Sequence, residues 1–215
     1  MRDSGNRIPW RRWVVRLVFM GALISLGDSF ALGINPQMLW QRPTITGRSV
    51  AYSPDGQVLA VTQGFGWIGL YRVSDGNLVR TLQGQVRVNS VAYSPDGQTL
   101  ATGGMDGTVK LWDVSRGQII KILKAHERAV FSVAFSPDAQ TLASGGADGT
   151  VKLWNALNGQ PIRTLRRHEG IYGRVNSVAF SPNGRMLASG HDLSGVILWD
   201  VAEGRLIRTL EGHGR

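Results

Sequence analysis

Hydrophobic and polar residues alternate in short runs along most of this chain, and the runs return in the same order. In residues 126–165, four runs carry β-branched, aromatic or alternating apolar residues: Val130–Phe135, Thr141–Ser144, Thr150–Trp154 and Pro161–Leu165. Turn-forming residues separate these runs, and such a pattern predicts short antiparallel strands. Each unit of about 42 residues is therefore predicted to form one four-stranded meander.

One eight-residue string ends the first predicted strand of every unit. It reads SVAYSPDG at 49–56 and 90–97, SVAFSPDA at 132–139 and SVAFSPNG at 177–184. Proline sets φ at the second turn position, aspartate or asparagine bonds its own backbone, and glycine adopts a positive φ without steric cost. Ala139 stands where the other units have glycine, so we expect about 1 kcal/mol of strain there.

A single four-stranded meander cannot bury both of its faces, so the units must stack on one another. The fold that follows is all-β, a β-propeller of four-stranded antiparallel blades. Four blades are predicted, at residues 44–82, 86–123, 128–165 and 173–210. We expect four blades to leave the ring incomplete within one chain. The chain would then pair with a second copy, complete the ring of another subunit, or be a truncated product.

Composition narrows the function classes. The 215 residues are 42% hydrophobic, which indicates a globular rather than a disordered chain. Cysteine is absent, which excludes disulfides and thiolate metal sites. The net charge is +9, but the basic residues are scattered, so ordinary solubility is favoured over nucleic-acid binding. Three of the four histidines, His126, His168 and His213, are spaced 42 and 45 residues apart, and the glycines fall at turns, so no metal or other cofactor is expected.

The first 31 residues differ from the repeats. Basic residues precede an apolar stretch of 11 residues, Leu17–Gly27, which is shorter than the roughly 20 residues of a membrane-spanning helix. This pattern fits a signal peptide cleaved after Ala31. A membrane anchor and a mis-set start remain open, so the protein is expected to be exported, membrane-anchored or cytoplasmic. Residues 32–43 are a linker or a remnant outer strand, which would include Gln37–Arg42.

The units resemble those of the WD-repeat β-propeller family. Besides the turn strings, the resemblance rests on LWD at 111–113, LWN at 153–155 and LWD at 198–200, and on a Gly-His start at 212–213. It covers about residues 44 to 213. It implies a non-enzymatic scaffold that binds other proteins or peptides through the loop face of the propeller.

The family also implies a buried polar network of His, Ser or Thr, Asp and Trp within each blade. The third blade has His126, Ser144, Asp148 and Trp154; the second has Gln85, Thr102, Asp106 and Trp112; the fourth has His168, Ser189 and Trp199. The first blade has Val61, Phe65 and Tyr71 at these positions, and Leu193 replaces the aspartate of the fourth. Ser144, His126 and Asp148 have the composition of a hydrolase triad, but their repetition in other blades favours a structural role.

Partners of this family usually dock on the face that carries the loops between the second and third strands and between blades. Matching positions here are Arg87, Asn89, Met105, Phe131, Ala147, Tyr172, Arg174, Asn176 and His191. Tyr172 and Arg174 lie in an expanded loop, and both residue types are common binding anchors. Ile171 and Tyr172 alternatively cover the top of the fourth blade. A propeller-funnel hydrolase is the other function considered, with His191 and Asp192 as its one unrepeated polar pair.

Overall fold

The described part of the chain folds into four antiparallel β-sheets of four strands each. The structure, a computed structural model, describes residues 47–63, 66–84, 86–166, 173–193 and 195–210. Strands pair in chain order within every sheet. The predicted all-β fold with four-stranded antiparallel blades is confirmed.

Each sheet takes its strands from one repeat unit. Sheet 1 contains β1 (Val50–Tyr52), β2 (Val58–Gln63), β3 (Trp67–Arg72) and β4 (Leu78–Gln83). Sheet 2 contains β5 (Val88–Tyr93), β6 (Thr99–Gly104), β7 (Thr108–Asp113) and β8 (Gln118–Lys124). Sheet 3 contains β9 (Val130–Phe135), β10 (Thr141–Gly146), β11 (Val151–Asn155) and β12 (Pro161–Leu165). Sheet 4 contains β13 (Val175–Phe180), β14 (Met186–His191), β15 (Gly195–Asp200) and β16 (Leu206–Leu210).

A serine hydroxyl closes the turn between the first two strands of each sheet. In sheet 2, Ser94 Oγ donates to Asp96 Oδ1 at 2.5 Å and accepts the backbone N–H of Thr99 at 3.0 Å. Ser53, Ser136 and Ser181 make the same contacts in the other sheets, except that Ser181 donates to the amide oxygen of Asn183 instead of a carboxylate. Because the hydroxyl and the carboxylate satisfy backbone groups that the turn leaves unpaired, the repeated string encodes a self-contained turn.

The last position of this turn has a left-handed backbone. Gly56, Gly97 and Gly184 have φ values of 70°, 71° and 70°, and Ala139 has a φ of 59°. The expectation that Ala139 adopts a positive φ is therefore confirmed. An L-residue with a Cβ is strained in this region, whereas glycine is not.

Apolar clusters hold the sheets to their neighbours. We call the face that a sheet turns toward the next sheet in the chain its forward face, and the opposite face its rear face. Between sheets 1 and 2, the forward face supplies Ala60, Ile68, Leu70 and Leu82, and the rear face supplies Val88, Val91, Tyr93, Leu100 and Trp112. Equivalent positions form the clusters between sheets 2 and 3 and between sheets 3 and 4. Since burying one such side chain contributes roughly 1.5–3 kcal/mol, these clusters are the core of the molecule.

Residues 1–46 lie outside the described part of the chain. The expectations for the leader at 1–31, for the segment at 32–43 and for Gln37–Arg42 fall on these residues. Within the described ranges, the structure contains no helix that is long and apolar enough to span a membrane.

Candidate functional site

The third sheet holds a chain of hydrogen bonds that runs from a carboxylate to an indole ring. His126 Nδ1 lies 2.9 Å from both oxygens of Asp148, and Nε2 lies 2.9 Å from Ser144 Oγ. Trp154 Nε1 donates to the same Oγ at 3.0 Å. Because a carboxylate only accepts, Nδ1 donates to Asp148, and in a neutral ring Nε2 then accepts the serine hydroxyl proton. All of these polar groups are then satisfied.

Backbone geometry brings these four side chains together. Ser144 in β10 and Trp154 in β11 lie diagonally across neighbouring strands, where side chains of the same face meet. His126 precedes β9, and its backbone N–H donates to the carbonyl of Gly107 in sheet 2 at 2.9 Å. A Cβ at Gly146 would lie 2.2 Å from His126 Nδ1, so glycine is needed there to admit the ring.

The carboxyl group of Asp148 is ionised at neutral pH. Burial alone would raise its pKa, but hydrogen bonds from His126 and Thr150 outweigh burial and lower the pKa well below 3.8. The Thr150 hydroxyl donates to Asp148 Oδ1 at 2.8 Å, and its backbone N–H donates at 3.1 Å. The charged form is thus held by several donors.

The geometry of this network fits a structural role for Ser144 better than the role of a catalytic nucleophile. Ser144 is 0% exposed, and its Oγ already bonds both His126 and Trp154. A catalytic nucleophile must reach a substrate atom, which this oxygen cannot do without unfolding of the sheet. Among the residues that the structure describes, no group of three or more His, Asp or Glu side chains is arranged to hold a metal ion.

The second sheet keeps part of the same network. Trp112 Nε1 donates to Thr102 Oγ1 at 2.9 Å, and both side chains are buried. Asp106 Oδ1 accepts the Thr108 backbone N–H at 3.0 Å and its hydroxyl at 2.7 Å. Gln85, the predicted partner from the preceding connection, lies outside the described residues.

The fourth sheet uses a histidine from its own second strand. Trp199 Nε1 donates to Ser189 Oγ at 2.7 Å, and His191 Nε2 lies 2.9 Å from the same oxygen. Leu193, at the aspartate position, is 68% exposed. The predicted network member His168 lies outside the described residues. The sequence also predicts that His191 binds partners, and this stays a prediction. The His191 residue is half-buried, and its ring hydrogen-bonds within the sheet.

The first sheet replaces the network with a tyrosine and a glutamine. Gln63 Nε2 hydrogen-bonds to Tyr71 Oη, while Val61 is half-buried at the serine position. Phe65 lies outside the described residues. Sequence reasoning missed Gln63. A signal for it exists, because Gln63 and His191 both stand two residues after the serine position, where sheets 2 and 3 have glycine.

The loop face is formed by the turns between second and third strands and by the connections between sheets. Among the residues predicted to bind partners, Arg87, Met105 and Arg174 are exposed, whereas Phe131, Ala147, Asn176 and His191 are partly buried. Tyr172 and Ile171 lie outside the described residues. Asn89 is 8% exposed and serves between sheets: it donates to the Val130 carbonyl at 2.9 Å and accepts Arg48 Nη1 at 3.1 Å.

Arg174 is the most strongly positioned charged side chain of the loop face. Its guanidinium carbon lies 5.5 Å from the centroid of the Phe131 ring, which is within cation–π range. Its Nε donates to Asp192 Oδ2 at 2.9 Å. The arginine side chain is still 56% exposed, so its outer N–H groups face solvent.

Stacked four-stranded antiparallel sheets with a repeated tryptophan-to-hydroxyl bond define a β-propeller repeat protein. A family model for the WD domain, G-beta repeat, matches residues 76–113, 117–155 and 159–200. These matches cover more than half of the chain, which belongs to the WD40 family, as the LWD motifs predicted. The first match begins at Gly76 and so leaves out the strands of sheet 1 that carry Val61 and Tyr71. No curated protein matches the chain.

Proposed function

We propose that this WD40 protein is a non-enzymatic scaffold that binds acidic segments of partner proteins on its loop face. The observation that supports the proposal is the distribution of charge on that face. Every sheet contributes an exposed arginine there, Arg48, Arg87, Arg128 or Arg174, and Arg166 after β12 is exposed as well. The guanidinium group bonds carboxylates with two parallel N–H groups, which makes arginine suited to acidic peptides.

Acidic side chains on the same face, Asp106, Glu127, Asp148 and Asp192, offset part of this positive charge. Asp106 accepts hydrogen bonds from Thr108. Asp192 pairs with Arg174, while Arg87 forms no ion pair with a carboxylate of the described residues. An acidic peptide that crosses the face would therefore meet several arginines in succession, and attraction between opposite charges would also raise its association rate.

Arg174 is the proposed anchor of this surface. Contact with the Phe131 ring and the bond to Asp192 hold its guanidinium in place before a ligand arrives, so less side-chain entropy is lost on binding. Tyr172, which the sequence predicts beside it, would add an apolar contact. Tyrosine and arginine are enriched among residues that dominate binding energies.

The proposal is tested by fluorescence polarisation with a fluorescein-labelled peptide of alternating glutamate and leucine. We expect Arg87→Glu and Arg174→Glu each to weaken binding about tenfold, which corresponds to roughly 1.4 kcal/mol. Arg185→Glu is the matched control, because Arg185 is exposed in the turn between β13 and β14, on the opposite side of the sheets. An equal loss in all three variants, or no binding of the peptide to the wild type, would reject the proposal.

The hydrolase alternative gains no support from the geometry. Its candidate pair is engaged elsewhere, since Asp192 bonds Arg174 and His191 contacts Ser189. A nucleic-acid interface would require clustered basic residues, whereas the arginines of the loop face are spread over all four sheets.

Two further expectations belong to the proposal. The chain is proposed to act within a ring that a second chain completes. It is also proposed to be exported or membrane-anchored through residues 1–31. Mass spectrometry of the mature protein would test export, since cleavage after Ala31 leaves a chain that begins at Leu32.

A further inference from the structure

The forward face of sheet 4 is less covered than the forward faces of the other sheets. Leu210 is 45% exposed, whereas the equivalent leucines of sheets 1, 2 and 3 are 1%, 5% and 1% exposed. Those leucines are Leu82, Leu123 and Leu165. Other residues of this face follow the same trend: Ala188, Val196 and Leu198 are partly exposed, while their counterparts in sheets 2 and 3 are buried. The apolar residues of this face are therefore those that contact a neighbouring sheet at the equivalent positions of sheets 2 and 3.

The rear face of sheet 1 shows the reciprocal pattern. Tyr52 is 36% exposed, whereas the equivalent Tyr93 of sheet 2 is 9% exposed. Leu59 is partly exposed, although Leu100 and Leu142 at the same position are both 0% exposed. The chain therefore carries both halves of one apolar junction, one at each end of its row of sheets.

A serine-to-backbone hydrogen bond crosses every junction near the first strands. Ser49 Oγ accepts the backbone N–H of Val91 at 3.2 Å. The bonds from Val133 to Ser90 and from Val178 to Ser132 repeat this contact at 3.1 Å each. If the series continued from sheet 4 to a following sheet 1, Ser177 Oγ would be the acceptor and the backbone N–H of Val50 would be the donor.

A basic side chain crosses every junction at the outer strands. Arg80 donates to the carbonyls of Ser115 and Arg116 at 3.1 and 3.2 Å. Lys121 donates to the Asn158 carbonyl, and Arg163 donates to those of Glu203 and Ala202 at 2.8 and 3.2 Å. Arg208 is the next member of this series. The corresponding turn of sheet 1 contains Ser74 and Asp75.

Glycine makes room for the basic side chain at each outer contact. A Cβ at Gly117, Gly159 or Gly204 would lie 2.7, 2.3 or 2.1 Å from the side chain of Arg80, Lys121 or Arg163, respectively. The turn of sheet 1 keeps this feature, because Gly76 stands at the same position with a φ of 68°. Sheet 1 thus offers the receiving site for Arg208, although no sheet precedes it among the described residues.

We propose that the forward face of sheet 4 in one copy packs on the rear face of sheet 1 in a second copy. A second copy is favoured over an unrelated partner because the serine contact, the basic contact and most of the apolar cluster match in register; Gly47 and Tyr71 replace the Val88 and Trp112 of sheet 2. Two copies joined at both ends form a closed ring of eight sheets, within the range of propellers. Such a head-to-tail contact closes with two-fold symmetry and leaves no apolar face open.

Static light scattering of the full chain tests this assembly. The wild type is expected at twice the chain mass of 23.4 kDa. Leu210→Arg on sheet 4 and Tyr52→Arg on sheet 1 are each expected to reduce the particle to one chain. Ile207→Arg is the matched control: Ile207 and its equivalents Val79, Ile120 and Ile162 are 46–54% exposed in every sheet, so it is expected to leave the dimer intact. Far-UV circular dichroism establishes that each variant is folded.

Mixing separates a head-to-tail contact from other causes of association. Leu210→Arg retains the sheet 1 face and Tyr52→Arg retains the sheet 4 face, so an equimolar mixture is expected to recover the two-chain mass through one intact junction. A one-chain mass for the wild type would overturn the inference, as expected if residues 1–46 or another protein cover these faces. Disruption by Ile207→Arg or a mixture that stays at one chain would also overturn it.

This inference rests on the assembly part of the proposed function and not on peptide binding. The two fail separately, since the acidic peptide binds the loop face in either state. A monomeric wild type that binds the peptide rejects the ring alone. A dimer that does not bind the peptide rejects the proposed ligand alone.

Discussion

Replacing Ser144 by alanine should destabilise the protein by about 2–5 kcal/mol. The substitution removes an oxygen that is 0% exposed and bonds two buried groups, Trp154 Nε1 at 3.0 Å and His126 Nε2 at 2.9 Å. Each group left without a partner costs about 1–3 kcal/mol, and little is regained because alanine leaves no room for a replacement water. The expected loss exceeds the roughly 1 kcal/mol by which a typical single substitution destabilises a protein.

The free energy of unfolding would be measured by urea titration followed through tryptophan fluorescence. Ser115→Ala is the control, because the Ser115 hydroxyl makes one hydrogen bond to Asp113 on an exposed turn. We expect the control to change stability by less than about 0.5 kcal/mol. If Ser144→Ala were as mild as the control, the hydrogen-bond chain of sheet 3 would not be a stabilising strut and this reasoning would be wrong.

A double-mutant cycle sharpens the same test. Trp154→Phe removes the indole donor, so the second mutation, Ser144→Ala, no longer leaves that donor unsatisfied. The double variant is therefore expected to lose less than the sum of the two single losses, by about 0.5–3 kcal/mol. Additive losses would show that the two side chains act independently.

Three further predictions follow from single sites. Asp148→Asn should lower stability by about 1–3 kcal/mol at neutral pH. Because the folded pKa of Asp148 is depressed, its contribution is present above the ordinary 3.8 and is lost as pH falls through the folded pKa, so urea midpoints of variant and wild type should begin to converge only as pH falls below 3.8. Ala139→Gly should remove the strain that a Cβ causes at a positive φ and raise the free energy of unfolding by up to about 1 kcal/mol. A decrease in the urea titration would contradict strain at this position. Tyr93→Phe should stabilise by about 1 kcal/mol, because Tyr93 Oη is buried without a partner within the described residues and burial raises its pKa to about 12; a destabilised variant would argue for an unseen bond.

The repeated elements of the fold were predictable because local chemistry encodes them. The Ser-Pro-Asp-Gly strings specify turns through bonds within a few residues, as the contacts of Ser94 show. The alternation of apolar and polar residues then predicts which side chains of each strand point toward a neighbouring sheet. Ala139 was a departure from the repeat, and the structure places it at a φ of 59°.

Contacts that depend on neighbouring sheets were less accessible from the sequence. Asn89 looked like a loop-face residue, but its amide bonds the Val130 carbonyl of the next sheet. Gln63 has no counterpart in the family pattern, because it serves Tyr71 only where tryptophan and serine are both missing. The role of Asn89 requires the register of one sheet against the next, and that of Gln63 requires the pairing of β2 with β3; a single sequence states neither.

The row of sheets also has a kinetic consequence. Sheets 2 and 3 pack on a neighbour at both faces, through the three clusters that contain Trp112, Trp154 and Trp199, whereas sheets 1 and 4 each contribute to one such cluster. In a chain whose modules contact nearest neighbours, opening is least costly at the ends. Amide hydrogens of sheets 1 and 4 in an isolated chain should thus exchange with deuterium faster than those in the middle, and joining two copies into a ring would slow them to the rate of the interior.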